Sequence, residues 1–356
     1  MGYVNGTGFS DFSKLATGGT ADELFLKVFS GEVLTAFNDT NVMMPLHQVR
    51  TIASGKSAQF PAIGKTTAVY HTPGESIVET GTGSGNPEGS KYLSSINAGE
   101  KIITINDMLL SAVFISNLQE AKNHYDVRSE YTKQMGAALA RSADQTLIQL
   151  LFQGAGATVD RFGGGDSTYL SSSTSIPTEA STASEIVGAV FDAAQAFDEK
   201  NVPATDRFCL LSPENYYKVV QDTTNASILN RDFGNDANGS IASGQVVNIA
   251  GVRILKTNNI PGVASGNLGL GDITTPAGDK SSLPDTQDYT ETDANTDAKI
   301  PEGIVFHRSA LGTVKLMDLA LESEYQIERQ GTLMVARYAM GHDVLRHEAI
   351  HKIVND

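Results

Sequence analysis

Cysteine is almost missing from this 356-residue chain, tryptophan is missing altogether, and positive charge is scarce. The one cysteine, Cys209 in the run RFCLLSP, excludes an intramolecular disulfide framework and fits a reducing compartment. Its apolar neighbours predict a buried structural thiol rather than a nucleophile. Lys and Arg number 26 against 41 Asp and Glu, a formal charge of −15. General nucleic-acid binding is thereby excluded, since affinity for phosphates comes mainly from Lys and Arg, and solubility at high concentration is favoured. No apolar run approaches the length of a bilayer span. The opening stretch MGYVNGTGFSDFSKLATGGT lacks the basic start and apolar core of a secretory signal. These absences predict a soluble protein made inside the cell.

What is present is enough to fold. Hydrophobic residues make up 40% of the chain, and its length predicts two lobes rather than one core. Residues 1–20 read as a flexible arm. DELFLKVFSGEVLTAF then carries a short amphipathic stripe, with Leu24, Val28 and Phe29 together. From Val49 the pattern alternates and is punctuated by Gly and Pro, the mark of strands. A Gly-rich stretch follows before KIITINDMLLSAVFI resumes strand character, so one long two-stranded excursion is expected. Such a ribbon is marginal alone in water, which predicts support from outside the subunit's own core. The segment from Asn117 to Gln153 reads as a long helix with a capping-box spacing at Ser116 and Gln119, a stripe through Thr132, Met135, Leu139, Leu147 and Leu151, and a stop at Gly154. A second helix begins at the Thr182/Glu185 capping box, and DRFCLLSPENYYKVVQD reads as strand, turn and helix. The C-terminal block from Glu302 alternates like the first strand block and is expected to complete its sheet, leaving the centre as an inserted lobe.

Short motifs with a chemical meaning fail on their surroundings. HEAIH, His347 to His351, matches the zinc-hydrolase pattern, which needs a helix and a third ligand further on. Only Lys352 to Asp356 follow, and the context reads as strand–turn–strand with polar surface histidines. SGKS and IGKT lack the leading glycine of a phosphate loop, with Arg50 and Gln59 in its place. The acidic run LPDTQDYTETDANTD lacks the glycine and terminal glutamate of a calcium loop and reads as solvated surface. No catalytic residue, metal ligand or cofactor site is expected.

Several dispersed blocks do carry a family likeness. ELFLKVFSGEVLTAF, SGKSAQFPAIGKT, NHYDVRSEYT, HRSALGTVKLMDLALE and YAMGHDVLR closely resemble the major capsid proteins of T7-like short-tailed double-stranded DNA phages. The resemblance runs from about Leu24 to Leu345. It implies an α+β chain of HK97-type capsid fold, with an N-terminal arm (1–48), an extended two-stranded loop (49–103) and a peripheral domain (104–175 and 303–356). That domain would hold a spine helix at 117–153, and an axial α/β domain would occupy 176–302. It implies an activity of self-assembly into pentamers and hexamers of an icosahedral shell, usually T=7. Assembly would proceed in the cytoplasm of the bacterial host, around a scaffolding protein, with a portal at one vertex. Possible decoration proteins and packaged DNA held without tight binding complete the implied partners. Relatives commonly carry Arg-Pro-Glu-Ala where this chain has RHEAIH, which again opposes a histidine ligand.

Candidate assembly contacts are Phe25 and Phe29 in the arm-proximal helix, Arg50, Lys56 and Lys65 on the excursion, and Arg128 and Glu130 on the spine. The competing readings are a metal-dependent hydrolase built on HEAIH and an acidic soluble protein binding an unrecognised ligand. A persistent compact monomer would favour the last of these.

Overall fold

The computed structural model of the chain describes residues 33, 35–37, 41–64, 66, 68–77, 92, 98–105, 108–117, 128–156, 170–176, 182–221, 239–240, 245–246, 248–260, 262–264, 267–269 and 301–355. Strands come first, as the alternation after Val49 predicts: β1 (Gln48–Thr51), β2 (Ser57–Ile63), β3 (Ala98–Thr104) and β4 (Leu109–Ser116). Helix α1 (Arg128–Gly156) is followed by β5 (Ser172–Ile176), α2 (Ala183–Glu199), β6 (Arg207–Leu211) and α3 (Pro213–Gln221). Short strands β7 (Gly239–Ser240), β8 (Gln245–Val246), β9 (Asn248–Ile249), β10 (Val252–Lys256), β11 (Gly262–Ala264) and β12 (Asn267–Gly269) lead to β13 (Pro301–His307). The chain closes with β14 (Leu311–Gln326), β15 (Gly331–Val344) and β16 (Ile350–Asn355).

Two sheets organise these elements. The first runs β1-β14-β15-β4, with β1 parallel to β14 and the rest antiparallel. It joins residues before 117 to the C-terminal block, as expected. The second runs β5-β16-β13-β6-β10-β9. Here the outcome differs from the sequence reading, because β13 and β16 leave the first sheet and pair with the central segment. Their residues explain the choice. Ile304, Val305, Phe306, Ile350 and Ile353 are all fully buried, so these strands need cover on both faces, as do the five buried residues of β6.

Helix α1 is continuous over 29 residues, about 43 Å at 1.5 Å per residue. Its predicted stripe is buried at Thr132, Met135, Leu139, Leu147 and Leu151, while Ser116 ends β4 and Gln119 lies outside the described residues. The helix serves two cores in turn. Met135, Leu139, Ala140 and Ala143 pack with Leu321, Ala336, Tyr338 and Met340 of the first sheet. One turn on, Leu147, Ile148, Leu151 and Phe152 pack with Phe306 and Ile350 of the second sheet and Val190 and Phe197 of α2. The full length of the helix is thus used within the subunit. Gly154 does not stop the helix, which runs on to Gly156. A Cβ at Gly154 would lie 2.8 Å from Val344 Cγ2 and 3.1 Å from Ile350 Cδ1, so the glycine serves close packing on β15 and β16.

The second helix follows its signals closely. Thr182 Oγ1 accepts from Glu185 N, the Glu185 carboxylate accepts from Thr182 N at 2.9 Å, and Ile186, Val190, Ala193 and Phe197 face the core. Cys209 is fully buried, and desolvation pushes its thiol up to about 12, so it packs as an apolar side chain.

Candidate assembly surface

The excursion is one antiparallel ribbon, β2 on β3, with Ser57 opposite Thr104 and Ile63 opposite Ala98. Alternation gives it two unlike faces. Ala58 and Ala62 turn inward and are buried, while Ser57, Gln59, Pro61 and Ile63 turn outward and are exposed. At the root, Ala58 and Ile103 join Ile105, Val314 and Ala339 in a third apolar cluster, and Lys101 pairs with Asp343 at 2.9 Å. The root therefore lies on its own subunit, whereas support from outside the subunit's own core was expected. The reason is that Ile103 and Ile105 reach the face of β14 and β15 not taken by α1.

Past Ile63 this cover ends. Ile63 is 70% exposed, Val69 51%, Tyr70 99% and Ile77 54%. A local knot shapes this part, in which His71 Nε2 lies 2.9 Å from Glu75 O and Tyr92 Oη accepts from Thr72 N. The apolar side chains remain in water. Ile63 and the segment after it thus present several exposed apolar side chains.

The residues singled out from sequence separate into two groups. Phe25, Phe29 and Lys65 lie outside the described residues, as does the side chain of Arg128 at the start of α1. Arg50 is exposed but engaged at the ribbon root, donating from Nη1 to Gln59 O at 2.7 Å with its guanidinium 5.9 Å from the Phe60 ring centre. Lys56 is exposed on the β1–β2 turn beside Gly55, whose φ of +110° accounts for the glycine of SGKS without any phosphate. Glu130 is exposed and accepts from Gln134 Nε2 at 3.1 Å. The structure does not gather these residues into one site.

The HEAIH stretch forms a short 3-10 turn at His347–Ala349 followed by β16, the expected strand–turn–strand. Its polar groups are not on the surface, however. His351 is 3% exposed, held between Ser172 Oγ at 2.7 Å and Thr174 Oγ1 at 2.8 Å. Glu348 is 2% exposed and accepts from Arg346 Nε at 2.7 Å, and His347 Nδ1 lies 3.0 Å from Gly154 O. Each group faces a different neighbour, so they cannot share a metal ion. Burial, aided by the charge of Lys200, holds the His351 pKa down at about 4, the neutral ring that two hydroxyls can satisfy. Among the described residues, no group of three or more His, Cys, Asp and Glu side chains converges on a metal position.

A second buried network escaped the sequence reading. His47 Nδ1 lies 2.8 Å from Met43 O and so carries a proton; its Nε2 lies 2.5 Å from Thr313 Oγ1. Thr313 Oγ1 lies 2.8 Å from His342 Nδ1, which completes a chain of two neutral rings across one hydroxyl. Desolvation and the neighbouring ring push His342 down to about 3. The network stitches β1 to β14 and β15.

The match to known proteins accords with this geometry. Residues 59–354 match the model of the Gp10A-like major capsid protein family. The chain belongs to that family. Within it, the chain is 36% identical to the major capsid protein of Enterobacteria phage T3, over 99% of its own length and 96% of the relative's. It is 34% identical to the major capsid protein of Escherichia phage T7, over 93% and 91%. Among solved structures, the capsid of cyanophage P-SCSP1u superposes with a TM-score of 0.66 at 34% identity, covering 98% of this chain and 99% of that one. The mature capsid of bacteriophage PhiM1 shares the fold at 15% identity and a TM-score of 0.61, covering 88% and 87%. The fold is thus the α+β HK97-type capsid fold, and the chain is a structural subunit of a phage capsid shell.

Proposed function

We propose that the subunit works by embracing copies of itself in pentamers and hexamers of a closed icosahedral shell, with the ribbon beyond Ile63 seated on a neighbouring copy. One observation carries this reading: Ile63 at the end of the ribbon and Val69, Tyr70 and Ile77 in the segment after it are exposed, while the ribbon's root is already packed. Burying such side chains is worth roughly 25 cal/mol per Å² of apolar area. Each contact is weak enough to be remade during assembly, and many together make a durable shell. The domain reading divides the chain into an arm (1–48), an extended loop (49–103), a peripheral domain (104–175 and 303–356) and an axial domain (176–302). Of the charged residues, Arg50, Lys56, Lys65, Arg128 and Glu130 would pair across subunits, while Phe25 and Phe29 would anchor the arm.

Assembly in the bacterial cytoplasm would use a scaffolding protein and a portal, give a T=7 particle, and leave room for decoration proteins outside. The charge of −15 suits a wall along which double-stranded DNA slides without sticking. The test is electron microscopy of the purified chain beside a Tyr70→Asp variant. Shells or capsomers from the natural chain, and folded but unassembled variant, are expected. A natural chain that stays monomeric at every concentration tried would overturn the proposal.

A further inference from the structure

One buried carboxylate and one glycine on α1 have no part in the surface just described, yet both hold the segment where the N-terminal arm joins the body. Asp144 is fully buried. Its Oδ2 accepts from Val42 N at 2.9 Å and Asn259 Nδ2 at 3.3 Å, and its Oδ1 accepts from Met43 N at 3.1 Å. The donors come from 102, 101 and 115 residues away, so no local turn requires them. A buried carboxylate costs several kcal/mol unless hydrogen bonds compensate it. Here the compensation comes from two backbone amides at the arm root and one side chain just past β10.

Eight residues earlier along the helix, about 12 Å, Gly136 makes the second contact. A Cβ there would lie 2.6 Å from Val33 O and 2.9 Å from Ala36 Cβ, both of them in the helical stretch that precedes Asn41. Val33 and Phe37 are buried, Phe37 meets the Tyr338 ring edge-on at 5.8 Å, and Asn41 N donates to Phe37 O at 3.0 Å. Residues 33–43 are therefore tied along α1 at two separate points. Tyr338, on β15, is the titratable group whose charge interacts with Asp144, and it stays neutral because burial raises its pKa.

We infer that Gly136 and Asp144 form a two-point clamp that fixes the segment carrying Val33, Ala36, Val42 and Met43 against α1, and that assembly with neighbouring copies depends on that placement. Both are positioning residues for assembly, and the role in assembly rests on the shell reading above. A glycine inside a helix costs about 1 kcal/mol relative to alanine. Helix propensity alone would therefore make Gly136→Ala neutral or stabilising. The clamp predicts the reverse for assembly, because the carbonyl of Val33 and its chain must shift to admit the methyl group.

The experiment uses the full chain in four forms: natural, Gly136→Ala, Asp144→Asn and, as a control, Val190→Ala. The control empties a buried site on α2, a helix that supplies none of the clamp's hydrogen bonds, and lowers stability. Two readouts are taken. Amide hydrogen exchange on unassembled subunits should show protection at Val42 and Met43 falling about tenfold or more in Asp144→Asn, since an amide side chain keeps one acceptor oxygen where two served. Gly136→Ala should lose protection across residues 35–41, with α1 itself unchanged. Val190→Ala should leave both segments protected relative to its own global stability. Particle counts should then show closed shells from the natural chain and the control, and open or misshapen products from both clamp variants. Unchanged exchange at residues 33–43 in both variants would overturn the clamp, as would normal shells from both. If the natural chain forms no shells, the shell reading fails, while the exchange data still decide whether the clamp exists.

Discussion

The ribbon's two ends obey different masters. At its root, Ala58, Ile103 and Ile105 find an apolar partner in Val314 and Ala339, and the two strands behave like ordinary core. In the segment that follows Ile63, apolar side chains are exposed instead, Tyr70 almost completely. The difference lies in reach, not composition: the root passes over β14 and β15, and the extension runs past them.

The strongest way to break the comparison is to empty the root. Ile103→Ala should cost about 2–4 kcal/mol, read as a lower urea midpoint, because a 1% exposed side chain leaves a cavity among Val314 and Ala339. Acid should act next, on the two sheets rather than on the ribbon itself. His342 titrates near 3 in the folded chain against 6.5 when solvated, and His351 near 4, so the unfolded chain takes up protons first. Their stabilisation is complete above pH 6.5 and is lost as pH falls, toward 4 for His351 and toward 3 for His342. Asp144 works the other way, since burial raises it to about 6 from 3.8 and the folded chain protonates first as pH drops through 6. Two strongly shifted rings outweigh one carboxyl, so the urea midpoint should fall between pH 6.5 and 4.5. A His342→Gln variant should flatten that slope, and a rising midpoint would contradict the assignment. Lys101→Ala removes a half-exposed pair with Asp343 and should cost under about 1 kcal/mol, less in high salt. Smallest of all, Tyr70→Ala should change subunit stability by no more than about 0.5 kcal/mol. Its effect should show only in particle yield, and a large loss of stability would mean that the extension is part of the core.

Much of this was legible along the chain. The Thr182/Glu185 cap, the strand–turn–helix around Cys209, the ribbon and the strand–turn–strand at HEAIH were all readable, because each depends on residues within a turn or a strand of one another. The resemblance carried by dispersed blocks gave the fold and the shell role. A carboxylate in the sequence GAALARSADQTLIQLL, on the face shared by Ala140, Leu147 and Leu151, was a visible irregularity whose meaning was not. Only donors a hundred residues away explain Asp144, and only the passage of residues 33–37 explains Gly136. Likewise HEAIH shows three polar residues in a row of five, whereas their burial comes from β5 and the end of α1.

The sequence by itself determined most of the elements, the Thr182/Glu185 cap, the absence of disulfide bridging within the chain, and the family. Tertiary structure alone decided that β13 and β16 join the second sheet, that α1 serves two cores, that the ribbon's root is covered while its extension is not, and that the HEAIH histidine His351 is buried. The physical reason is range. Periodicity and capping act over a few residues, but burial and close approach depend on which distant surface arrives opposite, and nothing local records that.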